Sequence, residues 1–145
     1  MADRKLNFVI IGASGHLART KIYPALFSLY CQDYLPADFS IAGYARSELS
    51  PEAFRQRITE NLTCRYSPAA GECTRQMESF LERCCYHEGQ YDSVEDFVAL
   101  AKEASLSPED DTLFYLAVPP NVFQSVADAI QAADLAGTAS DPWTR

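Results

Sequence analysis

Apolar runs alternate with segments of helical spacing along the whole chain. Four short apolar runs predict β-strands, at Leu6–Ile11, Phe39–Ala45, 84–90 and 112–120. The segments between and after them predict helices, from about residue 17, from residue 51, and over 74–83, 92–106 and 121–133. Strands that alternate with helices form a parallel sheet with right-handed crossovers. The pattern therefore predicts an α/β fold, with one domain over residues 1–145.

Local signals refine these elements. Ser50 and Ser93 each precede an acidic first turn and predict helix N-caps. Pro24 lies where the first helix should be established, which predicts a kink or a late start. Residues 63–73 contain Pro and Gly and predict a loop, and the tail from residue 134 has no periodicity.

Composition limits the classes of partner and compartment. The chain has 12 Lys and Arg against 20 Asp and Glu, a net charge of −8, which argues against nucleic acid but not against a small phosphorylated ligand. No apolar run reaches the length of a membrane span, so no membrane partner is expected. The five cysteines show no C-x-x-C spacing, which predicts no metal site and indicates a reducing compartment with mostly buried thiols.

A glycine turn follows the first predicted strand. Gly12, Gly15 and Ala18 have the spacing G-x-x-G-x-x-A between strand and helix. Gly12 would allow a tight turn, Gly15 would let a pyrophosphate approach the backbone, and Ala18 would allow close contact of helix and sheet. The placement favours a Rossmann-like dinucleotide site over the alternative, a structural turn without a ligand.

The end of the second strand indicates which dinucleotide would bind. An NAD site usually has an acidic residue there, whereas this chain has Arg46 and Ser47. An arginine can hold a 2′-phosphate through two hydrogen bonds, so NADP is preferred over NAD. Glu48 is a competing acid, and an exposed Arg46 with no ligand is the alternative.

Four segments together resemble one known family. "GASGHLARTKIYPALFSLY", "IAGYARSELS", "YHEGQYDS" and "LFYLAVPPNVF" are similar, in family order, to the N-terminal coenzyme domain of glucose-6-phosphate dehydrogenase. The resemblance covers about residues 6–130 and is closest to plastid-type members. It implies a doubly wound Rossmann-like parallel sheet that is incomplete here, with about four strands and the final strands missing.

The resemblance also implies cofactor, substrate and site residues. The family oxidises glucose 6-phosphate to the lactone with NADP⁺. The implied cofactor-binding residues are Gly12, Ala13, Ser14, Gly15, His16, Leu17, Ala18, Arg19, Arg46 and Tyr115. The alternative for Tyr115 is that its side chain is only a half-buried aromatic group of the strand. Lys21 is expected either near the coenzyme or in solvent.

His16 replaces the family's usual acidic residue. When protonated it could face the phosphates, or it could disturb the turn; a satisfied or solvent-facing histidine is the default expectation.

No catalytic residue can be assigned. The family's E-K-P-F-G strand would begin after Arg145, with the catalytic base and the sugar-phosphate site further on. We therefore expect a truncated coenzyme domain without a substrate domain, inactive alone, with an unpaired edge on the fourth strand. The alternative is a non-enzymatic module that binds a nucleotide or a partner such as an intact subunit.

Two further expectations depend on the plastid-like resemblance. Cys64 and Cys73 would correspond to the light-sensitive disulfide of such members, against the alternative of two ordinary thiols. The N-terminus is too short for a transit peptide, so the chain as written is expected in the cytoplasm, or in the plastid stroma if a transit peptide is missing.

Overall fold

A four-stranded parallel sheet forms the centre of the molecule. The computed structural model describes residues 4–65, 70–137 and 140–145, with the side chain of residue 70 left out. The strands are β1 (Leu6–Ile11), β2 (Phe39–Ala45), β3 (Cys84–Glu88) and β4 (Asp111–Leu116), in the spatial order β3-β2-β1-β4. The predicted bounds of β1 and β2 are confirmed, whereas β3 and β4 end earlier than predicted.

Within the described residues, five α-helices cover the two faces of the sheet. They are α1 (Tyr23–Cys31), α2 (Pro51–Thr59), α3 (Ala70–Glu82), α4 (Val94–Glu103) and α5 (Phe123–Ala132). Helices α1, α2 and α3 pack with Phe8, Ile10 and Ile41 on one face. Helices α4 and α5 pack with the alternate strand residues, Val9 and Ile11 among them, on the other. Because both faces are covered, the central strands are apolar throughout, and the predicted doubly wound sheet is confirmed.

The first helix has an irregular start. A π-helical turn spans Ala18–Ile22, and the N–H of Tyr23 donates to the carbonyl of Ala18. Pro24 has no N–H, and its ring would clash with the carbonyl four residues earlier in a regular helix. The wider turn avoids that clash. Helical backbone already begins at His16, so the predicted effect of Pro24 takes the form of this irregular turn and not of a late start.

Other helix boundaries follow local chemistry. The hydroxyls of Ser50 and Ser93 accept hydrogen bonds from the amides of Ala53 and Asp96, as predicted. Helix α3 begins at Ala70, four residues before its predicted start, so the predicted loop over 63–73 was too long. The Gly71 in its first turn is tolerated there because the position is open to solvent. None of the helices in the described ranges is long and apolar enough to cross a membrane.

The C-terminal residues lie along the outer edge of β4. Thr112 N–H donates to the carbonyl of Trp143 at 3.0 Å, and Phe114 N–H donates to that of Arg145 at 2.8 Å. Arg145 N–H donates to the carbonyl of Thr112 at 2.9 Å, and Thr144 forms a parallel bridge with Thr112. The expectation of an unpaired β4 edge was therefore wrong for its first half. The C-terminal segment pairs with β4 although its sequence has no apolar periodicity. Backbone groups make these hydrogen bonds, and they do not depend on a pattern of side chains.

Candidate nucleotide-binding site

The glycine turn lies at the carboxyl end of β1. The amides of Gly12 and Ala13 both donate to the carbonyl of Tyr44 on β2, at 2.8 and 3.2 Å, and the Gly15 amide donates to the Gly12 carbonyl at 3.0 Å. Tyr23 is fully buried, and its hydroxyl donates to the carbonyl of Ala13 at 3.0 Å. The turn is thus fixed by β2 and by the start of α1.

Gly12 is required by both conformation and space. Its φ is +90°, and a Cβ atom there would lie 2.4 Å from the carbonyl oxygen of Ala117, just after β4. At Gly15 a Cβ would lie 3.2 Å from the Gly12 carbonyl, a tight but smaller conflict. Ala18 is fully buried against the sheet, as its small side chain predicts.

The helical segment that follows directs its first amides toward this edge. His16 and Leu17 are the first helical residues, and both are exposed. The first amides of a helix have no intrahelical partners and favour an anion. The Thr20 hydroxyl donates to the His16 carbonyl at 2.7 Å, which fixes the backbone of this turn. The turn can therefore present N–H groups to a pyrophosphate.

Arg46 lies beside the turn, one residue after β2. It is exposed, and its guanidinium carbon lies 5.3 Å from the centre of the Tyr91 ring. Desolvation raises the pKa of the Tyr91 hydroxyl, which therefore stays protonated at neutral pH, while the charge of Arg46 lowers that pKa. The aromatic face holds the guanidinium in place, and Arg46 also hydrogen-bonds the Tyr91 hydroxyl. Tyr91 belongs to the "YHEGQYDS" segment, but nothing in the sequence alone indicated that it would contact Arg46.

Serine side chains connect the glycine turn with the end of β2. The Ser14 and Ser47 hydroxyls are 3.3 Å apart, and the Tyr86 hydroxyl donates to the carbonyl of Ser47. The structure thus brings together the two predicted parts of the site, the turn and the Arg46-Ser47 pair. Sequence reasoning missed Tyr86, which positions the second part.

The described side-chain contacts of Arg19 and Tyr115 are with residues outside the glycine turn and the Arg46-Ser47 pair. Arg19 Nη1 is 3.9 Å from the Glu60 carboxylate, and its Nε is buried without a hydrogen-bond partner among the described residues. Tyr115 is 43% exposed and, with Lys21 and Ala25, lines an apolar groove of about 260 Å³ beside α1. Their roles toward a coenzyme stay predictions.

The loop cysteines are joined. Cys64 and Cys73 form a disulfide with a Cα–Cα distance of 5.5 Å, which connects the segment after α2 to the buried face of α3. Cys31, Cys84 and Cys85 are not disulfide-bonded.

The parallel sheet, the glycine turn and the arginine after β2 define a Rossmann-type domain for a nicotinamide dinucleotide. The family model "Glucose-6-phosphate dehydrogenase, NAD binding domain" matches residues 9–145. The chain belongs to this family, which confirms the predicted fold and NADP as the predicted cofactor of the domain.

Individual relatives agree with the family model. The chain is 44% identical to glucose-6-phosphate 1-dehydrogenase 1, chloroplastic, of Arabidopsis thaliana, over 99% of this chain and 25% of that protein. It is 42% identical to glucose-6-phosphate 1-dehydrogenase of Schizosaccharomyces pombe, over 82% of this chain and 24% of that protein. The chain therefore spans about a quarter of the length of these relatives.

Solved structures show the same fold. A glucose-6-phosphate dehydrogenase in complex with its substrate glucose-6-phosphate has a TM-score of 0.84 and 35% identity, over 99% of this chain and 30% of that chain. Glucose-6-phosphate 1-dehydrogenase from Mycobacterium avium has a TM-score of 0.76 at 22% identity, over 92% of this chain and 28% of that chain.

Proposed function

We propose that the chain binds NADP at the glycine turn, with Arg46 holding the 2′-phosphate. The observation that carries this proposal is the position of an exposed arginine, fixed on Tyr91, directly beside the turn. No acidic side chain stands at residue 46, where an NAD site would use one for the ribose hydroxyls. When bound, NADP⁺ would accept a hydride, and this chain would hold its phosphates and ribose.

Calorimetric titration with NADP⁺ and with NAD⁺ tests the assignment of Arg46. Arg46→Ala should weaken NADP⁺ binding about 10- to 100-fold and leave NAD⁺ binding nearly unchanged, because a charge-assisted hydrogen bond contributes roughly 1.5–3 kcal/mol. Arg83→Ala is a matched control, since Arg83 also lies over an aromatic ring, Phe39, but at the amino end of β2. Equal affinity of the folded Arg46 variant for NADP⁺ would contradict the proposal.

We further propose that this domain serves a dehydrogenase that oxidises glucose 6-phosphate to the lactone, with base and substrate site outside residues 1–145. The support is the family membership and the fourfold greater length of the relatives. The hydride step needs a base in hydrogen-bond reach of the sugar hydroxyl. A purified chain that binds NADP⁺ should form no NADPH with glucose 6-phosphate; turnover would show that the base lies within these residues.

We propose that the Cys64–Cys73 disulfide responds to redox conditions. Cys64 is exposed, so a reductant can reach the bond. The ratio of oxidised to reduced pair, trapped by alkylation across a series of dithiol buffers, should change within the range of a stromal thioredoxin-type reductant. A bond that stays oxidised throughout that series would be a structural one.

We propose a plastid location for the protein, because several curated relatives that are 39–45% identical to the chain are chloroplastic. Fractionation of source cells with an antibody against the chain tests this proposal. Recovery in the cytosol alone would contradict it.

A further inference from the structure

Three side chains on the α4 side of the sheet form a connected cluster. Cys85 Sγ lies 3.3 Å from His87 Nε2, and His87 Nδ1 lies 2.7 Å from the Glu103 carboxylate. Cys85 and His87 are two residues apart on the edge strand β3, so they share one face, and Glu103 is the last residue of α4. Cys85 is exposed, whereas the His87 ring is only 10% exposed.

Glu103 determines which nitrogen of His87 carries the proton. An ionised carboxylate only accepts hydrogen bonds, so Nδ1 must be the donor in this 2.7 Å contact. In the neutral ring Nε2 is then unprotonated and directs its lone pair at the Cys85 thiol. The cluster thus has a nucleophile, a base and a group that orients the base.

The thiol depends on this base for reactivity. Cys85 Sγ also lies 3.7 Å from the carbonyl of Ile41, so the sulfur is partly covered although the residue is exposed. Desolvation is the main cause that raises the pKa of the Cys85 thiol; Lys5 and Arg55 lower it, and Glu103 raises it. At neutral pH the isolated thiol would therefore be mostly protonated and a weak nucleophile.

We propose that Cys85 is a modification site for small disulfides, with His87 as the base that takes its proton and Glu103 as a positioning residue. The Cys85 proton moves to His87 Nε2, and the thiolate attacks one sulfur of the disulfide. A new Sγ–S bond forms as the original S–S bond breaks. Cys85 is oxidised, the departing thiolate is reduced, and it takes the proton back from His87.

Neither the nucleotide site nor a metal accounts for this cluster. Cys85 lies on the edge strand β3, outside the glycine turn and Arg46. Among the described residues no group of three or more His, Cys, Asp or Glu side chains could hold a metal ion. Cys84, the neighbouring thiol, is buried and faces the other side of the sheet, so it offers an internal comparison.

Oxidised glutathione is the probe for this proposal. Mixed-disulfide formation at each cysteine is followed by peptide mass in the full chain with the Cys64–Cys73 bond intact. Cys85 should react at least about tenfold faster than Cys31 or Cys84 at neutral pH, because a general base typically contributes about 10²–10⁴-fold. A Cys85 rate no higher than that of Cys31 would overturn the proposal and needs no variant.

The variants separate base catalysis from simple exposure. His87→Asn should slow the reaction of Cys85 at least about tenfold at neutral pH, and Glu103→Gln should slow it less. At alkaline pH, where the thiol ionises without help, the rates of His87→Asn and the unsubstituted protein should converge. Cys31→Ser is the control and should leave the Cys85 rate unchanged. A His87→Asn protein that is folded and equally fast at neutral pH, or slower by the same factor at every pH, would overturn the role of His87.

Discussion

At several positions in this domain, contacts with a neighbouring strand or its end restrict which residue can be accommodated. Gly12 is the clearest case. Its backbone has a positive φ, and the carbonyl of Ala117 leaves no space for a Cβ atom. Asn7 is another: it is fully buried in β1, accepts a hydrogen bond from Ser40, and donates to the Asp110 carboxylate at 3.1 Å. A buried polar side chain is tolerated there because its groups have partners.

Gly12→Ala should lower the free energy of unfolding by at least about 2 kcal/mol, because the new methyl group adds a backbone clash to the strain of positive φ. Urea denaturation measures the change. Gly71→Ala is the matched control, since a Cβ there meets nothing within 4 Å, and it should be neutral or stabilise by up to about 1 kcal/mol. Equal stability of the Gly12 variant and the unsubstituted protein would mean that the turn can rearrange.

At the scale of elements, local signals and packing decide different boundaries. Caps at Ser50 and Ser93 and the effect of Pro24 were readable from the sequence. The early start of α3 was not, because Gly71 stands in its first turn and Pro68 stands two residues before it in the sequence. Cys73 on this helix is buried and bonded to Cys64, which connects the start of the helix to the segment after α2.

Cys64→Ser should remove roughly 2–3 kcal/mol from the free energy of unfolding, since the bond closes a short loop in the unfolded chain. Cys64 is exposed, so a serine there changes little else. Unfolding in urea, with and without a dithiol reductant, measures the effect. The reductant should destabilise the unsubstituted protein and leave the variant unchanged; a protein equally stable in both forms would contradict this prediction.

At the scale of the whole molecule, the two faces of the sheet differ from its two edges in how they are covered by the rest of the chain. Each face is covered by helices, and each has its own apolar core. The edge at β4 is covered in part by residues 143–145, through three backbone hydrogen bonds and a hydrogen bond from the Trp143 amide to the Asp111 carboxylate. Exposed strand edges favour association with other chains, so this short pairing protects the sheet.

Removal of residues 143–145 should lower the free energy of unfolding by roughly 2–4 kcal/mol, because three backbone hydrogen bonds and the bond from the Trp143 amide to the Asp111 carboxylate are lost. It should also promote association that depends on concentration. Urea denaturation and sedimentation velocity measure the two effects. Arg145→Pro should reproduce part of the loss because it removes the N–H that donates to Thr112, whereas Arg145→Ala keeps that donor and is the control. Identical behaviour of the Pro and Ala variants would show that this bond contributes nothing.

The sequence by itself determined the class of fold and the chemistry of the turn. Continuous apolar strands, helical spacing and the placement of Gly12 are local properties, so Leu6–Ile11, Phe39–Ala45 and the glycine turn were predictable. The tertiary structure alone decided which distant side chains meet. Three pairs of contacting residues illustrate this, and the two members of each pair are 16 to 45 positions apart in the chain. The pairs are Arg46 and Tyr91, His87 and Glu103, and Thr112 and Trp143. Such contacts depend on the crossovers and register of the whole sheet, and no local pattern specifies them.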